Sequence, residues 1–409
     1  MLGRRAFLAA ASLGLLSACL SPSDLFAQDP RPRPRSKSSG KSAKAKAKAA
    51  AATQQTSLEP SEQINRILGQ ARTDGRRLPG MVGGIIRGEE LTEVGVVGIR
   101  KIGSTEPFRW TDLIHLGSCT KAMTATMIGT LVDEGKLRWN STLSQVFPEW
   151  AAGMHPDFQP VTLTQLLSHR AGFSHDLHWW QMGQGRSVVE QRRALLAEAL
   201  HAPPDRKPGS EYFYSNTGFV LAGMMAEQVT GTPWEELMNR RLFEPLGMTT
   251  VGYGAPGIRG RVDHAWGHRA EGDTVTAVHE DNSPAMGPAG TVHCSLRDWS
   301  KFAALHLHGS VGGVSLVKPE TMKALHTPKG GEDYVGGWLI AGRSSAAGPI
   351  LTHTGSNTLW YCSIWLDTGR DVGFLAATNA GGKPAEDACQ QAISLLRQHA
   401  NPDDRPRRR

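Results

Sequence analysis

The chain predicts an α+β fold in which its N- and C-terminal parts build one antiparallel sheet and its middle forms a helix-rich lobe. Three observations carry that expectation. Strand-like runs lie at both ends, within residues 80–102 and again within 353–379. The stretch from Ser118 to about Pro284 is instead dominated by apolar residues at helical spacing. The roughly 340 residues of 61–400 exceed the usual single core but suit one two-lobed unit, and they contain no visible internal repeat.

The first 60 residues concern location. Arg4 and Arg5 precede an apolar stretch ending at Cys19 that is too short to span a bilayer, so residues 1–27 read as an export signal. Arg4-Arg5-Ala6-Phe7-Leu8 resembles a twin-arginine motif, and Leu16-Ser17-Ala18-Cys19 resembles a bacterial lipobox with Cys19 as the lipidated residue. Cleavage after Ala27 is the competing reading. Either way the expectation is an exported protein of the periplasm or cell envelope, held to the membrane if Cys19 carries lipid. Residues 28–60 are of low complexity and basic, which predicts a disordered linker. From Cys19 to Ser61 such a chain spans on the order of 35 Å.

The charge balance excludes a class of partner. Residues 1–60 hold ten of the 45 Lys and Arg and three of the 38 Asp and Glu, which leaves 35 of each sign beyond them and assigns the whole net charge of +7 to the tether. A nucleic-acid partner would require a basic face on the fold itself, so none is expected. The tether suits anionic lipid or cell-wall polymer.

Along the folded part, Ser61 to about Thr73 reads as a helix, followed by strands within Gly80–Ile102. Ser118 opens a helix-like run with Met123, Met127, Ile128 and Leu131 on one stripe and Gly135 as a stop signal. Another helical run follows Asn216. His353-Thr354-Gly355 reads as strand, and Ser356 to Asp367 as strand leading into a turn at Asp367-Thr368-Gly369-Arg370-Asp371. A further strand starts at Val372, a last helix covers Pro384 to His399, and residues 401–409 form a basic tail.

Three short motifs carry chemistry. Residues three apart on a helix share a face, so Lys121 sits beside Ser118, where a base is needed to make a hydroxyl nucleophilic. Free N–H groups at a helix start also suit a developing oxyanion. Taken alone, Ser-x-x-Lys is weak: Ser38–Lys41 and Ser315–Lys318 repeat the spacing, and a serine at a helix start is most often a cap. Tyr214 and Asn216 are two apart and, in an extended segment, face the same way. A cation near a phenol favours the phenolate, which makes Tyr214 a proton relay and Asn216 a contact for lysine and substrate. Gly355 allows a ligand backbone to approach a strand, and the Ser356 N–H is the second oxyanion donor expected. Lys329-Gly330-Gly331 is a rival for the third motif.

Ser118-x-x-Lys121, Tyr214-x-Asn216 and His353-Thr354-Gly355, in this order, resemble the serine β-lactamase and penicillin-binding-protein superfamily. The Tyr-x-Asn form is similar to the class C branch and its esterase and D-peptidase relatives. Leu166–Phe173, Pro208-Gly209, Gly287–Gly290 ahead of Asp298, Gly336-Gly337-Trp338 and Thr378-Asn379 agree. The resemblance covers roughly residues 61–398. It implies an acyl-enzyme on Ser118, with Lys121 and Tyr214 handling protons and Asn216, His353, Thr354, Gly355 and Ser356 binding substrate. It implies a small ester, amide or cell-wall peptide as substrate and no cofactor. His353 departs from the lysine usual in penicillin-handling members. A histidine near its ordinary pKa of about 6.5 offers a hydrogen bond rather than a fixed cation at neutral pH, which fits esterase-like or D-amino-acid amidase-like relatives better than a penicillinase and leaves slow β-lactam turnover open.

Other chemistry is weak in the sequence. His169, His175 and His178 lack a zinc-type ligand pattern, so no metal is expected. Trp179 and Trp180 sit in a loop that lines a pocket or packs between lobes. Beyond Cys19, four cysteines allow three pairings, but Cys119 beside Ser118 reads as a buried free thiol.

Overall fold

In the computed structural model, the described residues are 58–74, 78–173, 177, 179, 186–271, 274–329, 333–343 and 348–401, all within one compact unit. The export signal with Cys19, nearly all of the linker, Ser38–Lys41, His175, His178, Trp180, Gly330, Gly331 and the tail beyond Asn401 lie outside these residues.

The strands are β1 Gly80–Arg87, β2 Glu90–Gly98, β3 Leu113–His115, β4 Gly252–Tyr253, β5 Gly267–Glu271, β6 Thr274–Val278, β7 Val292–Ser295, β8 Tyr334–Val335, β9 Trp338–Arg343, β10 Pro349–Ser356, β11 Tyr361–Asp367 and β12 Val372–Thr378. Seven of them form one sheet in the order β2-β1-β12-β11-β10-β9-β8, and all its pairs are antiparallel. The two ends of the chain meet at β1 and β12, in register from Met81↔Thr378 to Arg87↔Val372. This is the α+β arrangement expected, with one antiparallel sheet built from both ends of the chain.

The main helices are α1 Glu62–Thr73, α2 Thr120–Asp133, α3 Leu163–Leu167, α4 Val188–Ala199, α5 Asn216–Thr230, α6 Leu296–His308 and α7 Lys383–Ala400. Ser61 caps α1 by accepting the N–H groups of Gln63 and Ile64, and Ile64, Leu68 and Ala71 recur on its buried stripe. That stripe and the buried face of α7 (Ala388, Ala392, Leu396) cover Met81, Ile85 and Phe374 on one side of the sheet. Helix α6 packs on the other side. Every residue of β12 is therefore buried, which explains its unbroken apolar run. A fully buried Leu or Phe contributes about 1.5–3 kcal/mol of burial free energy.

The lobe is built on α2, in which every residue from Thr120 to Leu131 is buried. Its burial all round marks it as a central helix rather than a surface one.

The middle of the chain is helix-rich as expected and also holds short strands: β4 and β7 join β3 in a small sheet, and β5–β6 form a hairpin. Two local expectations change. Helix α2 starts at Thr120, and Ser118 lies in a 3-10 turn, Gly117–Cys119, just ahead of it. The run from Ser356 to Asp367 is broken, because the Asn357 side chain accepts the N–H groups of Leu359 and Trp360 and holds a turn between β10 and β11. His169 lies just past α3, which ends at Leu167, and takes the left-handed conformation with φ 56.

Candidate active site

The spacing that puts Lys121 beside Ser118 is local, but its burial is a tertiary matter. Lys121 Nζ donates to Ser118 Oγ at 3.1 Å, to Asn216 Oδ1 at 2.7 Å and to the Ala289 carbonyl at 2.8 Å. The side chain is fully buried. A buried ammonium is tolerated only with its donors met, and three acceptors from three segments match the three N–H bonds of lysine.

Tyr214 reaches the same hydroxyl from the opposite side, donating to Ser118 Oγ at 2.7 Å. Lys121 Nζ stands 4.8 Å from the centre of its ring. Tyr214 and Asn216 do converge, although not through an extended run: Ser215 is the extended N-cap residue and Asn216 opens α5. The helix start turns the Asn216 amide towards Lys121, while Tyr214 stays 38 % exposed at the mouth of the site.

Two glycines permit the approach of the third motif. A Cβ on Gly355 would lie 1.9 Å from the Leu116 carbonyl oxygen, and one on Gly117 (φ +47) would lie 2.3 Å from the Ser356 nitrogen. The Ser356 amide is thus in direct contact with the residue preceding Ser118, where a second oxyanion donor belongs. Strand β9 pairs with β10 only as far as Thr352, so among the described residues His353–Ser356 continue past it as an edge facing the cleft.

The His353 ring also has partners within the protein. Its Nδ1 faces the Thr354 carbonyl at 2.6 Å and so carries a proton, while Nε2 lies 2.9 Å from the Tyr334 hydroxyl. Burial pushes the Tyr334 phenol well above its ordinary pKa, which keeps it a donor. Both ring nitrogens thus lie within hydrogen-bond reach of protein groups, Tyr334 and the Thr354 carbonyl. His353, Thr354 and Ser356 all line the cleft wall.

Two further residues of the site were not legible as such. His169 accepts the Ser215 N–H at Nδ1 (3.1 Å), and its ring packs 4.3 Å from Tyr214 and 4.5 Å from Tyr334. Burial, then the charge of Lys121, push its pKa well below the ordinary value, so it is a neutral brace for the Tyr214 segment. Tyr334 has no sequence neighbour with a motif; its only local signal is the following Gly336-Gly337 turn. A Cβ at Gly337 would come 2.2 Å from the Ala122 nitrogen, which seats that turn against the start of α2.

Ser118 opens into a cleft of about 570 Å³ walled by Tyr212, Tyr214, Tyr334, Leu339 and Trp365. Among the described residues no Lys or Arg lines it. The rival motifs lie elsewhere: Ser315 is an exposed loop residue, and Lys329 lines a separate cavity with Trp139 and Thr164. Cys119, Cys294, Cys362 and Cys389 are buried free thiols, with 3.7 Å between the sulfurs of Cys119 and Cys362.

Comparison with known proteins agrees with this fold. The chain is 30 % identical over 204 residues to penicillin-binding protein 4 of Amycolatopsis lactamdurans, covering 49 % of this chain and 52 % of that protein. It is 30 % identical over 165 residues to the lovastatin esterase of Penicillium rubens, covering 36 % of this chain and 41 % of that protein. The matches thus span about half the length of these curated relatives or less. The crystal structure of D-amino acid amidase from Ochrobactrum anthropi SV3 shares the fold, with a TM-score of 0.67 at 19 % identity over 83 % of this chain and 99 % of that one. The Beta-lactamase family matches residues 64–398, nearly all of the folded unit, and this chain belongs to that family of serine hydrolases.

Proposed function

We propose that the protein hydrolyses neutral, largely apolar esters through an acyl-enzyme on Ser118. The observation that carries this reading is the shared hydroxyl: Ser118 Oγ lies within hydrogen-bond reach of both Tyr214 and Lys121. In the first half-reaction Ser118 Oγ bonds to the substrate carbonyl carbon, and its proton passes to the Tyr214–Lys121 pair. The cation at Lys121 favours negative charge on the nearby phenol oxygen. The oxyanion is held by the Ser118 and Ser356 N–H groups. The ester C–O bond then breaks and the leaving alcohol takes the proton. In the second half water repeats the sequence, the Ser118 O–acyl bond breaks, and the carboxylic acid leaves.

The aromatic cleft supports an apolar acyl or alcohol group, and the internal bonding of His353 supports a substrate without a carboxylate to recognise. The edge formed by His353–Ser356 favours a second reading, a D-amino-acid amide or cell-wall peptide lying antiparallel to β10. Rates on a short-chain p-nitrophenyl ester, a chromogenic cephalosporin and a D-Ala-D-Ala peptide separate these. The ester is expected to give the highest kcat/KM; a faster peptide establishes the peptidase reading, and a faster cephalosporin the β-lactamase one.

The basic N-terminal segment supports a tethered enzyme. Expressed with its leader in a bacterial host, the protein is expected to partition into detergent, and Cys19→Ser to release it or leave it uncleaved. A soluble product whose mass begins at Gln28 refutes lipidation.

A further inference from the structure

Resting on the serine-hydrolase reading above, we propose that His115, Asp281 and Asn357 form a clamp that fixes the spacing of the two backbone segments making the oxyanion site. These residues come from β3, from the segment after β6, and from the turn after β10, and none belongs to the three motifs. His115 Nδ1 accepts the Gly117 N–H at 3.1 Å, one residue before Ser118. Its proton is therefore on Nε2, which lies 2.8 Å from Asp281 Oδ1 in a bent contact. The same Asp281 oxygen accepts the Asn357 amide at 2.8 Å, one residue after Ser356. A continuous path of side chains thus runs from the backbone before Ser118 to the backbone after Ser356.

The path has something to hold. Thr358, next to Asn357, has φ +71, a strained conformation for a β-branched residue. The Asn357 carbonyl keeps the turn closed by accepting the Leu359 and Trp360 N–H groups at 3.2 and 3.0 Å. Its amide end is anchored on Asp281. Loss of that anchor frees the strained turn to relax and carries the Ser356 N–H away from Gly117. All three side chains are almost fully buried, and the Lys121 and Tyr214 contacts are not part of the path. They are positioning residues, so their removal should weaken binding of the tetrahedral state and leave ground-state binding intact.

His115→Phe and Asp281→Ala test this in the full-length enzyme, with the p-nitrophenyl ester and a neutral boronic acid as analogue of the tetrahedral state. Each variant is expected to lose about 30-fold or more in kcat with KM within about threefold, and boronate affinity should fall by the same factor as kcat/KM. The double variant should lose no more than the worse single one. A kcat within about threefold of wild type, or a kcat loss with unchanged boronate affinity, overturns the clamp. If either variant does not fold, His115→Asn reads the same test: its side-chain oxygen can still accept the Gly117 N–H but is too short to reach Asp281, and a loss of about fivefold or more in kcat and boronate affinity together is expected. Unchanged values overturn the proposal. A wild-type enzyme without esterase, amidase or β-lactamase turnover overturns the hydrolase reading and the clamp together, whereas an active wild type with unaffected variants overturns the clamp alone.

Discussion

Ser118→Ala is expected to lower kcat by at least about 10⁴-fold and to abolish covalent labelling by a fluorophosphonate, because removing the nucleophile of an acyl-enzyme leaves only residual binding and oxyanion stabilisation. The substitution removes one half-buried oxygen and no core contact, so the fold should survive and the loss is one of chemistry. Tyr214 and Lys121 lose a shared acceptor in the variant. Lys121 keeps Asn216 and the Ala289 carbonyl, so its buried charge stays solvated by the protein. The control is Ser315→Ala, which alters the other Ser-x-x-Lys in the folded unit at an exposed loop and should retain full turnover and labelling. Equal turnover in Ser118→Ala and wild type would sink the mechanism.

Lys121→Ala and Tyr214→Phe should each lower kcat by about a hundredfold or more, the range expected when a positioned proton-transfer group is lost. The two differ in what else they disturb. Tyr214→Phe deletes one oxygen from an exposed ring, and the contact of that ring with His169 remains. Lys121→Ala empties a fully buried position and leaves Asn216 Oδ1 and the Ala289 carbonyl without their donor, so a drop in melting temperature should accompany the loss of rate. The double variant should lose little beyond the worse single one, because both act on the same proton. Strictly additive losses, measured by single-turnover acylation, would argue against a shared network.

The parts of the site legible in the sequence are those whose geometry is short-range. Ser118 and Lys121 are three residues apart, and helical spacing alone makes them neighbours. Tyr214 and Asn216 were recognisable as a pair, but the reason they converge is a helix start at Asn216 and not the extended run that their spacing allows. His353 was recognisable by its place in the third motif, yet its partner Tyr334 comes from another strand, and only that contact reveals where its ring nitrogens are spent. His115, Asp281 and Asn357 had no signal, because each matters through a contact distant in sequence and none sits at a diagnostic spacing; Ala289 lies in a stretch that the resemblance marks, but the role of its carbonyl appears only in the contact with Lys121.

Periodicity and composition by themselves determined the class of the fold, the existence of α1, α2, α5 and α7 and the strand character of the two ends, while the chemistry of hydroxyl, amine and phenol came from the three motifs in order and the resemblance they carry. These properties follow from which residues lie two or three to four apart, and each chain segment carries that information locally. Only the tertiary structure decided that β12 lies between β1 and β11, that Lys121 is buried among three acceptors, and that Gly117 and Gly355 bring the Ser356 amide against the turn holding Ser118. Those outcomes depend on long-range pairing, where the burial of apolar faces chooses among many arrangements that the local pattern allows equally, and where a charge or an amide acquires its role from whatever the packed chain sets beside it.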